Sequence, residues 1–264
     1  MYESGNFALV TGASSGIGLE ISRELARRGY SILMVSNEEE KLIGLAAEIQ
    51  AEHKIRAVPI FMDLALADSA QKLFDYCYKN RFKVEILINN AGMFLFRDIV
   101  DTSPANVATM INLQVLTPAL LCRHFTEQMI REDINGYILN MSSIAAWMMI
   151  PGITLYNSTK SFLHCFSRAM RRETIEHGIS ITAICPGAVA TGLYNLSPRY
   201  IALGVKLGII LPTERLAILA LDKMFERKAE YIPGGFINRF FIFLVKTMPE
   251  WMIKRLRKKL RNIQ

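Results

Sequence analysis

A glycine-rich turn joins the first predicted strand of this chain to the first predicted helix. Residues 7–10 form a short apolar run typical of a buried strand, and an amphipathic helical pattern begins at about residue 17. Between them the glycines are spaced as GxxxGxG. Gly12 permits a tight turn, Gly16 lets the backbone approach a pyrophosphate, and Gly18 lets helix and strand pack closely. The turn therefore predicts a dinucleotide site at the helix N-terminus, with a flexible surface turn as the alternative.

Strands and helices alternate along the rest of the chain. The strands are largely apolar, as expected where helices cover both faces of a parallel sheet. The pattern predicts an α/β fold, a Rossmann-type doubly wound parallel sheet of about seven strands with helices on both faces. Strands are predicted near residues 7–10, 31–35, 57–61, 84–88, 136–141, 179–184 and 229–232, and helices from about 17, 38, 68, 105, 155 and 213.

Composition agrees with one large domain and narrows the class of protein. The chain has 264 residues, of which 51% are hydrophobic, enough for a sizeable core. Its four cysteines show no CxxC spacing, so neither a disulfide framework nor a metal site is predicted. No secretion signal is predicted, and no apolar run reaches the roughly 18 residues that a membrane-spanning helix needs. We therefore expect a cytoplasmic protein.

Tyr156 and Lys160 are the candidate chemical pair. They are spaced as YxxxK, which places both side chains on one face of a predicted helix. A lysine ammonium beside a phenol favours the phenolate, which makes the tyrosine useful as an acid or base near neutral pH. The alternative is a solvated pair on an exposed helix face.

Further short motifs follow in order along the chain. Residues 89–92 read NNAG after a predicted strand, Asn112 lies in the next helix, Ser142 and Ser143 end another strand, and residues 186–187 read Pro-Gly ahead of Thr191. Together with the glycine turn and YxxxK, these motifs resemble the short-chain dehydrogenase/reductase family, in particular its ketoacyl and hydroxysteroid reductases, over about residues 6–235. The resemblance implies an NAD(P)-dependent oxidoreductase that transfers a hydride between nicotinamide and a carbonyl or secondary alcohol.

The resemblance also implies catalytic roles. Tyr156 is expected to act as acid and base, and Lys160 to lower the pKa of the tyrosine and bind the nicotinamide ribose. Ser143, thirteen positions before Tyr156, is expected to polarise the substrate oxygen. Ser142 is the alternative residue for this role. A further alternative is that both hydroxyls only hydrogen-bond backbone groups at the end of the strand. Asn112 is expected to anchor a proton-relaying water, although an asparagine within a helix usually faces solvent.

Cofactor contacts are inferred from the same resemblance. Asp63 is expected against the adenine, with a helix N-cap as an equally physical role. Asn90 is expected to support the sheet instead. The full set of expected cofactor contacts is Gly12, Ser14, Ser15, Gly16, Ile17, Gly18, Ser36, Asn37, Asp63, Leu64, Asn89, Ala91, Gly92, Tyr156, Lys160, Pro186, Gly187, Val189 and Thr191.

The end of the second strand bears on the choice between NAD and NADP. An aspartate at this point binds the ribose hydroxyls and excludes a 2′-phosphate, whereas an arginine attracts the phosphate. Ser36 occupies the usual aspartate position and Asn37 the usual arginine position. We expect NADP because no carboxylate fills the excluding position, and Glu38 keeps NAD as the alternative.

The C-terminal segment carries most of the net charge. Residues 246–264 contain seven basic side chains and one acid, whereas the whole chain carries +7. Residues 236–245 are apolar and aromatic, and residues 249–264 predict a basic amphipathic helix. We therefore divide the chain into a catalytic domain, 1–235, and a tail, 236–264, that docks on the anionic inner face of a membrane. The alternative is that the aromatic run packs on the sheet edge or between subunits. Nucleic-acid binding is not expected, because the aromatics form a block.

Substrate and assembly are less constrained. The connection spanning residues 192–211 is apolar and occupies the family's substrate-lid position, which favours fatty-acyl, sphingoid or sterol ketones or alcohols. Met148 and Met149 are either pocket walls or core filler. The family resemblance implies a homodimer or homotetramer formed through helices near 105–130 and 155–177. A non-catalytic dinucleotide sensor or a membrane-associated interaction protein is the alternative function.

Overall fold

A single parallel sheet forms the centre of the protein. The structure, a computed structural model, describes residues 7–191, 198–253 and 255. Strand order is β3-β2-β1-β4-β5-β6-β7 with every pairing parallel, which confirms the predicted doubly wound fold. The strands are β1 Phe7–Thr11, β2 Ser31–Ser36, β3 Ala57–Phe61, β4 Val84–Asn89, β5 Tyr137–Met141, β6 Ser180–Ile184 and β7 Glu230–Tyr231.

Helices cover both faces of the sheet because each helix buries one apolar stripe. One core lies between the sheet and helices α1, α2 and α8, and a second lies between the sheet and helices α3, α5 and α6. The described helices are α1 Gly16–Arg27, α2 Glu39–His53, α3 Ser69–Lys79, α4 Pro104–Ile111, α5 Thr117–Arg131, α6 Thr154–Thr174, α7 Pro198–Lys206, α8 Thr213–Phe225 and α9 Gly235–Lys246.

Strands β1 and β4 set the position of the functional cleft. The chain runs outward from β1 to β3 and then returns to β4 on the other side of β1, so two crossovers leave in opposite directions there. In open parallel sheets a crevice forms at this point, outside the carboxyl ends of the strands. All five residues of β1 are buried, because the sheet covers both of its edges and helices cover both of its faces.

The C-terminal third differs from the sequence-based expectation in local structure. The apolar-aromatic run forms helix α9, although no helix was predicted there. The segment expected to form the lid, residues 192–211, contains helix α7. Residues 192–197 of that segment lie outside the described residues. Most of the predicted basic helix, residues 254 and 256–264, also lies outside them. The proposed boundary at residue 235 stays a prediction.

One helical stretch corrects the expectation that no segment could cross a membrane. Pro104–Arg131, which includes α4, a π-helical turn at Asn112–Leu116 and α5, is long and apolar enough to span a bilayer by length and composition. Its Leu121 and Phe125 are fully buried in the core beneath the sheet. Of the most apolar 18-residue window of this stretch, 33% is buried.

Gly18 makes the closest approach in the glycine turn and generates a stability prediction. A Cβ at Gly18 would lie 2.1 Å from the carbonyl oxygen of Gly12 and 2.5 Å from Nδ2 of Asn90. We expect Gly18→Ala to lower the free energy of unfolding by about 1–3 kcal/mol, because the backbone of the turn must move. Urea unfolding followed by circular dichroism measures the change.

Gly44 provides the matched control. It is exposed on α2, and a Cβ at this position would meet no atom within 4 Å. Gly44→Ala should therefore raise the free energy of unfolding by roughly 0.5–1 kcal/mol through helix propensity. Equal effects of the two substitutions would contradict the packing assigned to Gly18.

Candidate active site

The predicted motifs meet in one cleft at the carboxyl ends of the strands. A cavity of about 600 Å³ lies there, lined by the segments that follow β1 to β6. A cavity of this size accommodates a cofactor-sized ligand. The site residues predicted from the sequence that line this cavity are Gly12, Ser14, Ser15, Gly16, Ile17, Ser36, Asn37, Asp63, Leu64, Ala91, Gly92, Ser143, Tyr156, Lys160, Pro186, Val189 and Thr191.

The glycine turn forms one end of this cavity. Gly12 and Gly16 have φ values of +67° and +54°, which side-chain-bearing residues rarely adopt. Ser15 begins helix α1 without a side-chain cap, and the first turn contains no acidic residue. The positive end of the helix dipole and the first-turn amides are thus left for an anion in the cavity.

Thr11 holds the turn against the segment after β4. Its hydroxyl donates to the carbonyl oxygen of Ile88 at 3.1 Å and accepts from the amides of Asn90 and Ala91 at 2.9 and 3.0 Å. Asn90 returns a bond from Nδ2 to the carbonyl oxygen of Thr11 at 3.0 Å. These reciprocal bonds fix two walls of the cavity relative to each other.

Tyr156 and Lys160 lie side by side within the cavity on helix α6. Both are 5% exposed, and Lys160 Nζ lies 5.6 Å from the centre of the tyrosine ring. The structure therefore excludes the alternative of a solvated surface pair. Lys160 Nζ donates to the carbonyl oxygen of Met141 at 2.9 Å, and Phe94 packs edge-on against the tyrosine ring at 5.0 Å.

Burial changes the acidity of the lysine. Desolvation lowers the pKa of Lys160 from 10.5 to about 8, because a low-dielectric environment disfavours its charged form. The group still carries its proton at pH 7. A cation is thus held beside the phenol at neutral pH.

The two candidate serines differ in their hydrogen bonds. Ser142 Oγ donates to the carbonyl oxygen of Lys160 at 2.9 Å, which ties β5 to helix α6. Ser143 Oγ accepts from the amide of Ala145 at 3.1 Å, and its bond to the carbonyl oxygen of Pro186 is long, at 3.4 Å. Ser142 therefore fits the alternative in which the hydroxyl only bonds backbone at the end of the strand. The bond that Ser143 donates is longer and weaker, so its hydroxyl hydrogen is more easily released to a ligand.

The far end of the cavity follows strand β2. Ser36 Oγ donates to Ser14 Oγ at 2.8 Å, and Ser14 Oγ donates to Glu38 Oε2 at 2.5 Å. This bond, assisted by Lys41 Nζ at 3.2 Å, lowers the pKa of Glu38. Glu38 lines the cavity as well, so this end presents a carboxylate that accepts from one hydroxyl, that of Ser14, and one ammonium, that of Lys41.

A family profile described as short chain dehydrogenase matches residues 6–199. The chain belongs to the short-chain dehydrogenase family. The family predicted from the motifs is confirmed.

Relatives of this chain include very-long-chain 3-oxoacyl-CoA reductases. Very-long-chain 3-oxoacyl-CoA reductase-A of Danio rerio is 33% identical over 197 residues, which cover 73% of this chain and 60% of the reductase. The chain thus spans about three fifths of the length of that relative. An uncharacterized oxidoreductase of Bacillus subtilis, YmfI, is 31% identical over 88% of this chain and 96% of its own length.

Solved structures share the fold of this short-chain dehydrogenase. A short-chain dehydrogenase from Sphingobium yanoikuyae in complex with NADPH superposes with a TM-score of 0.79 at 24% identity, covering 98% of this chain and 96% of that one. A structure described for 7beta-hydroxysteroid dehydrogenase stereoselectivity gives a TM-score of 0.83 at 24% identity, covering 96% of each chain.

Four predicted site residues of this short-chain dehydrogenase lie outside the cavity lining. Gly18 packs behind the turn, and Gly187 lies against Asn238 of α9. Asn89 Nδ2 donates to Asn140 Oδ1 at 2.8 Å inside the sheet, whereas its neighbour Asn90 lines the cavity. The fourth, Asn112, is described next. The roles of all predicted site residues stay predictions.

Asn112 anchors the π-helical turn instead of lining the cavity. Its Nδ2 donates to the carbonyl oxygen of Ala65 at 3.0 Å, where α4 gives way to that turn. Such turns occur frequently at functional sites. Leu113, the next residue in the turn, lies in the cavity wall.

Gln114 is a site-supporting residue that the sequence interpretation missed. It is 1% exposed, accepts from the amide of Met93 at 2.8 Å and donates to Thr159 Oγ1 at 2.9 Å. It thus connects the NNAG segment to the helix that carries Tyr156. The sequence signal for it was a glutamine flanked by apolar residues within a helical run, which predicts a buried amide that must find partners.

Asp63 does not serve as the N-cap of the next helix. Helix α3 begins at Ser69 with Asp68 as its N-cap residue. Asp63 Oδ1 instead accepts from the amide of Ala65 at 2.9 Å and lines the cavity. The N-cap alternative is therefore wrong, because the helix begins five residues too late.

The remaining lining residues that were not predicted include Met62, Ala65, Met93, Thr109, Leu113 and Met141.

The buried ammonium generates a prediction about stability and pH. Because the folded pKa of Lys160 lies below its ordinary 10.5, the unfolded chain binds more protons between about pH 8 and 10.5, and stability rises with pH there. The difference between these pKa values means that burying the charged lysine costs roughly 3 kcal/mol of folding stability. Replacing the lysine removes this cost but also loses the hydrogen bond to Met141, worth about 1 kcal/mol. Lys160→Met should thus raise the free energy of unfolding at pH 7 by about 2 kcal/mol.

Urea unfolding of both proteins at pH 7 and pH 10 checks this expectation. The advantage of Lys160→Met should shrink at pH 10, because the lysine of the folded wild type is then neutral. A constant difference between the two proteins at both pH values would show that the ammonium carries no desolvation cost.

Proposed function

We propose that this short-chain dehydrogenase is an NADP-dependent oxidoreductase that transfers a hydride between nicotinamide and a carbonyl or secondary alcohol of an apolar, lipid-like substrate. The observation that carries the proposal is the buried Tyr156–Lys160 pair, next to Ser143, in a cavity that begins at the uncapped N-terminus of α1. A dinucleotide-binding protein without turnover has no need for a buried acid beside a desolvated cation.

The residues present fit a dinucleotide. The turn after β1 offers first-turn amides, no competing carboxylate and two glycines with positive φ, where a Cβ would be strained. Lys160 lines the same cavity and would bind a ribose hydroxyl of the cofactor. Ser14, Ser15 and Ile17 would hold the pyrophosphate, and Val189 and Thr191 the nicotinamide end. When bound, the cofactor supplies or accepts the hydride.

The chain's own residues supply the proton transfer. The Tyr156 phenol donates its proton to the carbonyl oxygen during reduction and takes it back from the alcohol during oxidation. The Lys160 ammonium stabilises the phenolate left behind. Ser143 donates its hydroxyl hydrogen to the substrate oxygen, where negative charge develops. Burial of all three groups strengthens each of these interactions, because water does not screen them.

An apolar substrate is supported by the walls around the tyrosine. Tyr156 packs with Met110 and Ala145, and the partly buried side chains against them are Met93, Phe94, Leu95, Ile153 and Leu155. Similarity to very-long-chain 3-oxoacyl-CoA reductases supports a ketone on a long chain. Of the two methionines predicted as pocket walls or filler, Met148 is buried core and Met149 is 87% exposed.

NADP is favoured over NAD by the end of strand β2. The strand ends in Ser36, so no carboxylate occupies the position that excludes a 2′-phosphate. Complexes with NADPH of the Sphingobium yanoikuyae dehydrogenase and of L-sorbose reductase from Gluconobacter frateurii support the same choice. Glu38 favours NAD as the alternative, because its carboxylate lines this end of the cavity.

Assembly and location are part of the proposal. A homodimer or homotetramer through α5 and α6 is supported by exposed apolar side chains on that side, including Ile130 and Phe162. A cytoplasmic position, peripheral to the inner face of a membrane, is supported by the basic charge of residues 246–264.

Removal of the phenolic hydroxyl tests the catalytic assignment. We expect Tyr156→Phe to lower kcat for NADPH-dependent reduction of long-chain 3-oxoacyl thioesters and bulky ketones by roughly 10²–10⁴-fold, because the proton donor is lost. NADPH binding, measured by fluorescence titration, should change little. Turnover by Tyr156→Phe at the wild-type rate would refute the assignment.

The adjacent serines form a matched pair for the same assay. Ser143→Ala should lower kcat by roughly 10²–10³-fold, because a donor to the developing charge is lost. Ser142→Ala should cost about 1 kcal/mol of stability through its bond to Lys160 and affect kcat much less. The opposite order of effects would assign the catalytic hydroxyl to Ser142.

Glu38 generates a prediction about cofactor choice. Glu38→Gln removes a negative charge from the cavity and releases Lys41 from its ion pair, so the ratio of kcat/KM for NADP to that for NAD should rise about tenfold. Initial rates with each cofactor measure the ratio. Glu40→Gln, in the first turn of α2, is the control and should leave the ratio unchanged. An unchanged ratio in Glu38→Gln would place the 2′-phosphate away from this carboxylate.

A further inference from the structure

Helix α9 exposes an apolar surface. Six of its side chains lie between 45% and 81% exposed, and Trp251 beyond the helix is 64% exposed. We call these seven residues the α9 face: Phe236, Ile237, Phe240, Phe241, Phe243, Leu244 and Trp251. A contiguous apolar surface of this kind on a soluble domain marks an interaction site, because water hydrates it poorly.

The opposite side of α9 holds the helix on the domain. Ile242 is buried among Ile144, Met148 and Ile232, and Val245 packs against the same cluster. Asn238 Nδ2 donates to the carbonyl oxygen of Pro233. Because these contacts already use the inward side of α9, the exposed aromatic residues point away from the domain and belong to none of the hydrophobic clusters that the described residues form.

Basic charge borders the α9 face. Arg239 and Lys246, seven positions apart, lie on one edge of the helix, and both are exposed. Residues 235–264 contain eight basic side chains and one acid, so this segment carries the full formal net charge of +7 and the rest of the chain is neutral. In the sequence, the charge is thus concentrated within α9 and in the segment that follows it.

We propose that the α9 face is a docking surface for an anionic lipid bilayer. Apolar and aromatic side chains enter the acyl boundary, while adjacent basic groups contact anionic headgroups. A second copy of the chain fits less well, because a two-fold contact would bring the basic edges of both copies together. The polar phosphate backbone of a nucleic acid would leave six aliphatic and phenyl side chains uncompensated.

Docking on this side brings the bilayer close to catalytic machinery. The cluster beneath α9 includes Ile144 and Met148, which closely follow Ser143, and Gly187 lies against Asn238. The link between the docked bilayer and the active site rests on the proposed function, since that function assigns a lipid-like ketone to the site. The docking surface itself does not depend on turnover.

Vesicle flotation of the full chain tests the surface. Wild-type protein should bind vesicles that contain phosphatidylserine more strongly than vesicles of pure phosphatidylcholine, and high salt should weaken the difference. Phe236→Ser with Phe240→Ser should lower the apparent affinity at least about tenfold, because two stacked rings are removed from the surface. Ile43→Ser with Tyr78→Ser is the matched control, since both side chains are exposed on other helices, and should bind as wild type.

A second measurement reads the surface directly. The chain contains two tryptophans, so Trp147→Phe leaves Trp251 as the only indole. Its emission should move to the blue on addition of phosphatidylserine vesicles, and brominated lipid should quench it. Unchanged emission together with full vesicle binding would overturn the proposal, because another surface would then contact the bilayer.

Two controls separate this proposal from its rivals. If light scattering without lipid gives an oligomer that Phe236→Ser with Phe240→Ser dissociates, the α9 face is occupied by a second copy, and the proposal is wrong. Tyr156→Phe should bind vesicles as wild type does. A wild type that binds vesicles but reduces no ketone would refute the proposed function and leave the docking surface standing.

Discussion

The desolvated ammonium of Lys160 is the interaction on which the site depends. An isolated buried cation is costly, and here one carbonyl oxygen, that of Met141, accepts from it. The surrounding polar network fixes helix α6 so that this geometry persists. Ser142 bonds the lysine's own carbonyl, Gln114 bonds Thr159, and the Asn89–Asn140–Ser167 chain ties the same helix to two strands. These bonds favour one arrangement of the helix against the sheet, although Asn89 Oδ1 has no hydrogen-bond partner in the described part of the chain.

The two ends of the cleft are built on different principles. The catalytic end is buried and bonded through backbone and side chains, so its groups have little freedom. At the end beyond β2, the buried hydroxyls of Ser14 and Ser36 bond to each other and to Glu38, whose carboxylate and its partner Lys41 are exposed. The exposed ion pair can exchange partners with a ligand, whereas the buried groups act through their fixed positions.

Much of the fold and of the site followed from the sequence. Apolar strands and amphipathic helices are local signals, so all seven strands were predicted near their observed positions. Side-chain direction was less accessible. Asn89 ends β4 with its side chain in the sheet interior, and Asn90 lies on the cavity side, because successive residues of a strand point to opposite faces. The motif NNAG does not indicate which of its two asparagines points to which face. Helix α9 was missed because its exposed side is as apolar as its buried side.

Helix α9 has a consequence for any attempt to shorten the chain. Its Ile242 and Val245 close the hydrophobic cluster formed by the residues after Ser143, and its Asn238 fills the space beside Gly187. A truncation at residue 235 would therefore uncover apolar side chains behind the segment that follows Ser143, while one after Lys246 would keep this cluster covered and remove Trp251 together with most of the basic residues of the tail. A fragment that keeps this cluster covered must therefore extend to the end of this helix, and not only to the end of the sheet.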